Sequence, residues 1–330
     1  MYNNADWMWF MNLFEQLKNI PKVDMHINLT SSISTDLAFD LTDELDIVEV
    51  VDNMREKNIM EYKEALKLPI KILRSNKNIK LAVSDLIERL KKNNVIYGEL
   101  FLDLPLYNKK IDVEKLLKVV LETIQEKNYP LEVVLVLSSE NEKEDNLDVL
   151  ELFDKYYGKG VNGIYFYKHK MHNLSDYMYL FDRMIKNNCP YILNINSKVS
   201  SVDEDIYMHA KRIIYSLPSF DESLKDELKI NDIMLEFSLT RLKESNIIDL
   251  KDYFIYDFVK DNVLFTLTSC DMTTLNTDVL NEWCLMFNNY PISVLEMIKI
   301  MNRNISKANI NDELKDKLIN ELRDKSNMVL

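Results

Sequence analysis

Residues 20–29 read Ile-Pro-Lys-Val-Asp-Met-His-Ile-Asn-Leu, and after the proline apolar side chains alternate with polar ones. That alternation has the period of a strand, and side chains at i and i+2 of a strand point the same way. His26 and Asn28 therefore share a face. Two imidazoles at those positions would offer two donors to one metal ion; here the second is an amide.

Working outward, short β-branched or aromatic runs recur at 22–29, 95–103, 131–138, 161–167, 190–196, 212–215, 232–237 and 262–268. Longer stretches of helical period lie between them, among them 112–127, 147–157, 175–188 and 277–287. Strands alternating with helices require a parallel sheet, and eight such units close into a barrel. The sequence thus predicts an α/β chain, a single (β/α)8 TIM barrel occupying residues 1–330 as one domain. Three helical additions are expected: an N-terminal helix over 1–19, an insertion over 30–94, and C-terminal helices within 291–330, read at Val294–Asn302 and Asp312–Lys325. No internal repeat, low-complexity stretch or Pro/Gly/Ser linker divides the chain.

Composition narrows the function. A formal charge of −13 opposes phosphate backbones and anionic membrane surfaces, so neither nucleic acid nor membrane is an expected partner. It does not oppose a neutral base or nucleoside. Only four glycines occur, roughly a sixth of average usage. Neither G-x-G-x-x-G nor G-x-x-x-x-G-K-[ST] is present, which argues against dinucleotide and nucleoside triphosphate chemistry. Three cysteines without framework spacing fit a reducing compartment, and the cytoplasm is the expected location. No apolar run reaches the ~18 residues of a spanning helix. The Trp7-Met8-Trp9-Phe10 patch follows Asp6 rather than a basic stretch, which fits a docked amphipathic helix better than a signal peptide. The abundance of Asn, Lys and Ile reads as codon bias without mechanistic meaning.

Pro21-Lys-Val-Asp-Met-His26-Ile-Asn-Leu29 resembles the first-strand signature of the adenosine/adenine deaminase family of zinc hydrolases, in which His-x-His follows Pro-Lys-Val-Glu/Asp-Leu. Tyr191-Ile-Leu-Asn-Ile-Asn-Ser197 is similar to that family's His-Ala-Gly-Glu segment. Arg212-Ile-Ile-Tyr-Ser216 looks like Arg-Ile-Gly-His-Gly, and Thr268-Ser-Cys-Asp-Met272 looks like Asn-Thr-Asp-Asp-Pro. The C-terminal Met301-Asn-Arg-Asn-Ile-Ser-Lys-Ala308 resembles the family's Asn-containing segment.

The resemblance implies a zinc ion held by two His of strand one, a His after strand five and an Asp after strand eight. It also implies a Glu beside the third His that transfers a proton, and a His after strand six that orients the metal-bound hydroxide. On those positions stand His26, Asn28, Asn194, Cys270, Ser197 and Tyr215, with Asp271 at the neighbouring substrate-contacting Asp. Thr30-Ser31 replaces an Asp-Gly pair, and Tyr167-Lys168-His169 replaces a glycine-rich loop; Glu99 and Glu236 persist.

Zinc brings the pKa of its water near ~7, and that hydroxide is the nucleophile. Asn is a weak neutral donor, and a Ser hydroxyl does not titrate usefully near neutral pH. The expectation is a deaminase-like barrel without its zinc cofactor or hydrolytic activity. Such a pseudoenzyme would bind a purine- or nucleoside-like small molecule or a protein partner. The rival is an active aminohydrolase of the purine/nucleoside class whose altered metal site uses His26, Cys270 and Asp271.

Plainer readings compete residue by residue. His26 reads as a hydrogen-bonded core histidine. Lys168 either meets an anionic ligand or is a solvent-facing charge that narrows the pocket. His169 and His172 belong to a surface loop, and His209 to a polar helix. Cys270 reads as a small buried group rather than a nucleophile, because the adjacent Asp271 opposes a thiolate.

Overall fold

The computed structural model describes residues 13–42, 45–55, 62–107, 111–197, 203–246 and 248–328; the Trp7–Phe10 patch lies outside them. The strands are β1 (Lys22–Asn28), β2 (Val95–Leu102), β3 (Leu131–Ser138), β4 (Val161–Tyr167), β5 (Tyr191–Ile195), β6 (Arg212–Tyr215), β7 (Met234–Phe237) and β8 (Phe265–Leu267). They pair in sequence order, all parallel. Closure falls just beyond β8, where Cys270 accepts from Asn28 N at 2.8 Å and donates its own N–H to His26 O at 2.9 Å. The seam of the barrel is therefore the meeting of its first and last signature segments.

Helices cover the outside. Asn76–Lys92 starts at a Ser75 cap and buries Ile79, Ala82, Val83, Leu86, Ile87 and Leu90, a stripe at helical spacing. Before it, the insertion runs through Thr35–Asp40, Ile47–Met54, Tyr62–Ala65 and Lys67–Ile72. Val294–Lys307 and Asp312–Asn327 are the C-terminal helices, the first extending five residues past the expected Asn302. Between them Asn309 reaches the Asn162 carbonyl at the N-terminal end of β4. None of the described helices is long and apolar enough to cross a membrane.

The scarce glycines raise the question of how the turns into the strands are made. Asn94, Asn128, Asn188, Asp232 and Asn262 all take φ between 46° and 58°, one to three residues before β2, β3, β5, β7 and β8. Asn and Asp tolerate this left-handed region because a short polar side chain bonds locally there. Asparagine thus has a structural task that composition alone does not reveal.

Most of the core lies between sheet and helices. A smaller apolar layer inside the barrel joins Phe101, Val134, Val136, Tyr165 and Ile192, with Tyr167 and Ile214 packed against it. Above this layer, at the C-terminal strand ends, sits the candidate site.

Candidate functional site

The site begins with an irregularity in β1. Asp24 pairs with Gly98 and Ile27 with Leu100, so Met25 and His26 together stand opposite Glu99. An extra residue of this kind re-aims side chains. His26 stacks on Phe101 with ring centroids 3.6 Å apart and meets Tyr165 edge-on at 5.8 Å. Its Nδ1 bonds to Glu236 Oε1 of β7, and its Nε2 faces Asn28 Oδ1 at 3.4 Å.

Glu236 is in turn shared. Its other oxygen lies 2.9 Å from Arg212 Nε, an ion pair without hydrogen-bond alignment. Arg212 also donates Nη2 to Glu99 Oε2 at 2.7 Å and to the Met25 carbonyl at 2.7 Å. Burial raises Glu236, but His26 and then Arg212 outweigh it and hold the carboxyl below its ordinary range.

The hydrogen bonds around Asn28 bear on the state of the histidine. Asp271 Oδ1 accepts from Asn28 Nδ2 at 2.8 Å, which turns the amide oxygen toward His26 Nε2. Both ring nitrogens then face acceptors, which favours a ring that carries both hydrogens. The electrostatics agree. Burial works against a charged ring, yet Glu236 and Cys270 hold His26 well above the ordinary histidine value.

Asp271 is occupied on every side. Besides Asn28 it takes Ser31 Oγ, Tyr62 OH at 3.0 Å and Arg241 Nη2 at 2.6 Å. Burial would raise its carboxyl, but Arg241, Ser31 and Asn28 together bring it below the carboxylate norm. Arg241 also lies 5.4 Å from the centroid of the Tyr62 ring. Burial pushes the Cys270 thiol up; Glu236 and Asp271 add to the rise while His26 opposes it.

The remaining expected positions are used structurally. Asn194 accepts from the Lys168 N–H at 2.6 Å and donates to the Lys168 carbonyl at 3.0 Å. Ser197 accepts from Lys168 Nζ at 3.2 Å. Thr30 pairs with Tyr107 OH at 2.5 Å. His169 and His172 lie in a loop after β4, with ring centroids 5.9 Å apart.

Three further positions add to the sequence reading. Tyr215 packs among Phe220, Phe237 and Phe254, and its hydroxyl donates to the Ser219 carbonyl, because it shares the outward face of β6 with Ile213 while Arg212 and Ile214 point inward. It makes none of its contacts with the His26 cluster. Among the described residues the metal-capable group is His26, Glu236 and Cys270, each with a donor atom within 4.8 Å of the others; Asp271 is not part of it and pairs with Arg241 instead. Lys168 is buried rather than solvent-facing, because the Asn194 clamp turns it under its own loop.

Phe101, Tyr62 and Arg241 were not singled out from the sequence. Phe101 lies two residues beyond Glu99 on β2, a spacing that puts both on one face. Arg241 stands four residues past the end of β7, in the helix Leu239–Ser245. Nothing in the spacing of the insertion marks Tyr62.

Comparison with known proteins fits this geometry. The family model for adenosine deaminase matches residues 21–325. An adenosine deaminase from Clostridium botulinum is 25% identical over 316 residues, which is 86% of this chain and 93% of the relative. One from Clostridium perfringens is 23% identical over 328 residues, 92% of this chain and 98% of the relative. Among solved structures, Arabidopsis ADAL complexed with IMP gives a TM-score of 0.83 at 17% identity, covering 96% of this chain and 100% of that one. The adenine deaminase of Arthrobacter aurescens gives 0.80 at 14%, covering 92% and 98%. Likeness at such identities is one of fold. With the match running through nearly the whole barrel, the chain belongs to the adenosine deaminase family.

Proposed function

We propose that this chain is a deaminase-fold protein that has given up zinc-dependent hydrolytic deamination and keeps the barrel mouth as a binding site for a purine-like ligand. One observation carries the reading: both ring nitrogens of His26 are spent on Glu236 and Asn28, and Asp271 fixes the amide that does so. A zinc ligand must present a free lone pair, and an imidazole protonated on both nitrogens has none.

The other donors fit the ion no better. Glu236 is committed to His26 and Arg212. Burial pushes the Cys270 thiol above its ordinary value, and Asn194 is engaged with backbone. Ser197 supplies no group that exchanges a proton near neutral pH. Purine-type binding is supported by relatives called adenosine deaminases and by fold neighbours complexed with IMP and GMP.

A second reading, an aminohydrolase with a rebuilt metal centre, draws on the closeness of His26, Glu236 and Cys270. It requires displacing the proton of His26 Nε2, the nitrogen that faces Asn28, while the Nδ1 bond to Glu236 stays. Elemental analysis of protein purified without chelator separates the two, alongside turnover assays on adenosine, adenine and AMP. The proposal expects far less than one zinc per chain and no ammonia release. Stoichiometric zinc with turnover abolished by His26→Ala would establish the rival.

A further inference from the structure

Lys168 lies at the C-terminal end of β4 and is only 6% exposed. Its ammonium donates to the His172 carbonyl at 3.3 Å and to Ser197 Oγ at 3.2 Å, both neutral and both long. No carboxylate among the described residues pairs with it. The other charged side chains of the site are compensated: Arg212 by Glu99 and Glu236, Arg241 by Asp271. Withdrawing a cation from water against neutral partners is unfavourable, and a lysine has three donors for these two acceptors.

A second unmet group stands beside it. Asn196 donates Nδ2 to the Lys168 carbonyl at 2.9 Å, while its Oδ1 is buried without a partner. Asn194 pins the backbone of Lys168, so the strand end itself is held in position. Ser197 is only partly buried and connects the ammonium to the barrel mouth.

We propose that Lys168 is the counter-charge for an anionic oxygen of the bound ligand, so that the site selects an anion over a neutral nucleoside. The inference rests on the reading of the mouth as a purine-type binding site. An ionised ring oxygen would satisfy the ammonium. So would a phosphate oxygen.

Calorimetric titration of the full chain with three probes tests this. Adenosine is the neutral probe, xanthine at mildly alkaline pH the ring anion, and AMP the phosphate anion. At least one anion is expected to bind about tenfold or more tighter than adenosine, as a charge-assisted contact predicts. Xanthine in that place assigns the charge to the ring, and AMP assigns it to the phosphate. Lys168→Met should erase the preference and Lys168→Arg should retain most of it, with thermal midpoints reporting that both variants fold. Equal affinity for all three probes, binding of none of them, or an unchanged preference in a folded Lys168→Met protein would overturn the proposal. If a variant does not fold, the wild-type ranking decides. Zinc-dependent turnover together with a Lys168-dependent anion preference would sink the pseudoenzyme reading and leave this one standing.

Discussion

At position 194 an amide satisfies both backbone groups of Lys168, accepting from the N–H and donating to the carbonyl. The sequence resemblance places a metal-binding imidazole of the family at this position; in this chain the amide braces a strand end. Asn194→Leu keeps the volume and strands the buried Lys168 N–H, while the carbonyl keeps its bond from Asn196. A loss of about 1–3 kcal/mol in urea unfolding is expected for one stranded group. A change below about 0.5 kcal/mol, within the range of a harmless substitution, would show that water replaces the amide. The substitution itself was legible in the sequence, since strand five can be placed by its apolar run. The brace was not, because its partner lies 26 residues away across the β4–β5 ladder. Asn28 was more readable: its neighbour is His26, two residues off on the same strand.

Among the elements, the short helix Leu239–Ser245 after β7 is held at its start by a side chain from another helix, Val279–Asn289. Glu282 accepts from Leu239 N at 2.5 Å, Thr240 N at 3.2 Å and Thr277 Oγ1 at 3.1 Å. Burial dominates these bonds and pushes its carboxyl up to about 7 from 4.5. A carboxyl whose pKa rises on folding binds its proton more tightly in the native state. Its favourable contribution is complete below the unfolded value and is lost as pH climbs through about 7. Glu282→Gln keeps a carbonyl oxygen for the backbone donors and cannot ionise. Wild type should therefore lose stability relative to Glu282→Gln between pH 5 and 8, seen as diverging urea midpoints. A pH-independent difference would refute the assignment. Strand and helix positions were largely readable because a period of two or 3.6 is local. A remote cap such as Glu282 leaves no local pattern, and neither do left-handed asparagines such as Asn128, whose role depends on the strand that follows.

Across the whole molecule, alternating charges run through the barrel: Glu99 on β2, Arg212 on β6, Glu236 on β7 and His26 on β1. Phe101 sits between the two cations, stacked on His26 and 5.8 Å from the Arg212 guanidinium. In a zinc enzyme an ion would tie strand ends together; on the proposed reading this chain uses a protonated histidine and its carboxylate instead. The consequence for stability is specific. On that reading no ion contributes to the native state, and chelator should leave the thermal midpoint unchanged. Arg212→Met should cost about 3–5 kcal/mol, since it leaves the buried Glu99 carboxylate without its cation while Glu236 keeps His26. Adding Glu99→Gln to Arg212→Met removes that charge, and the double variant should regain much of the loss. Scanning calorimetry with and without EDTA, and urea unfolding of the single and double variants, provide the check. A midpoint that falls with EDTA and returns with zinc would mean that the barrel is tied by metal. A double variant no more stable than Arg212→Met would mean that Arg212 acts through its packing against Phe101 rather than through charge.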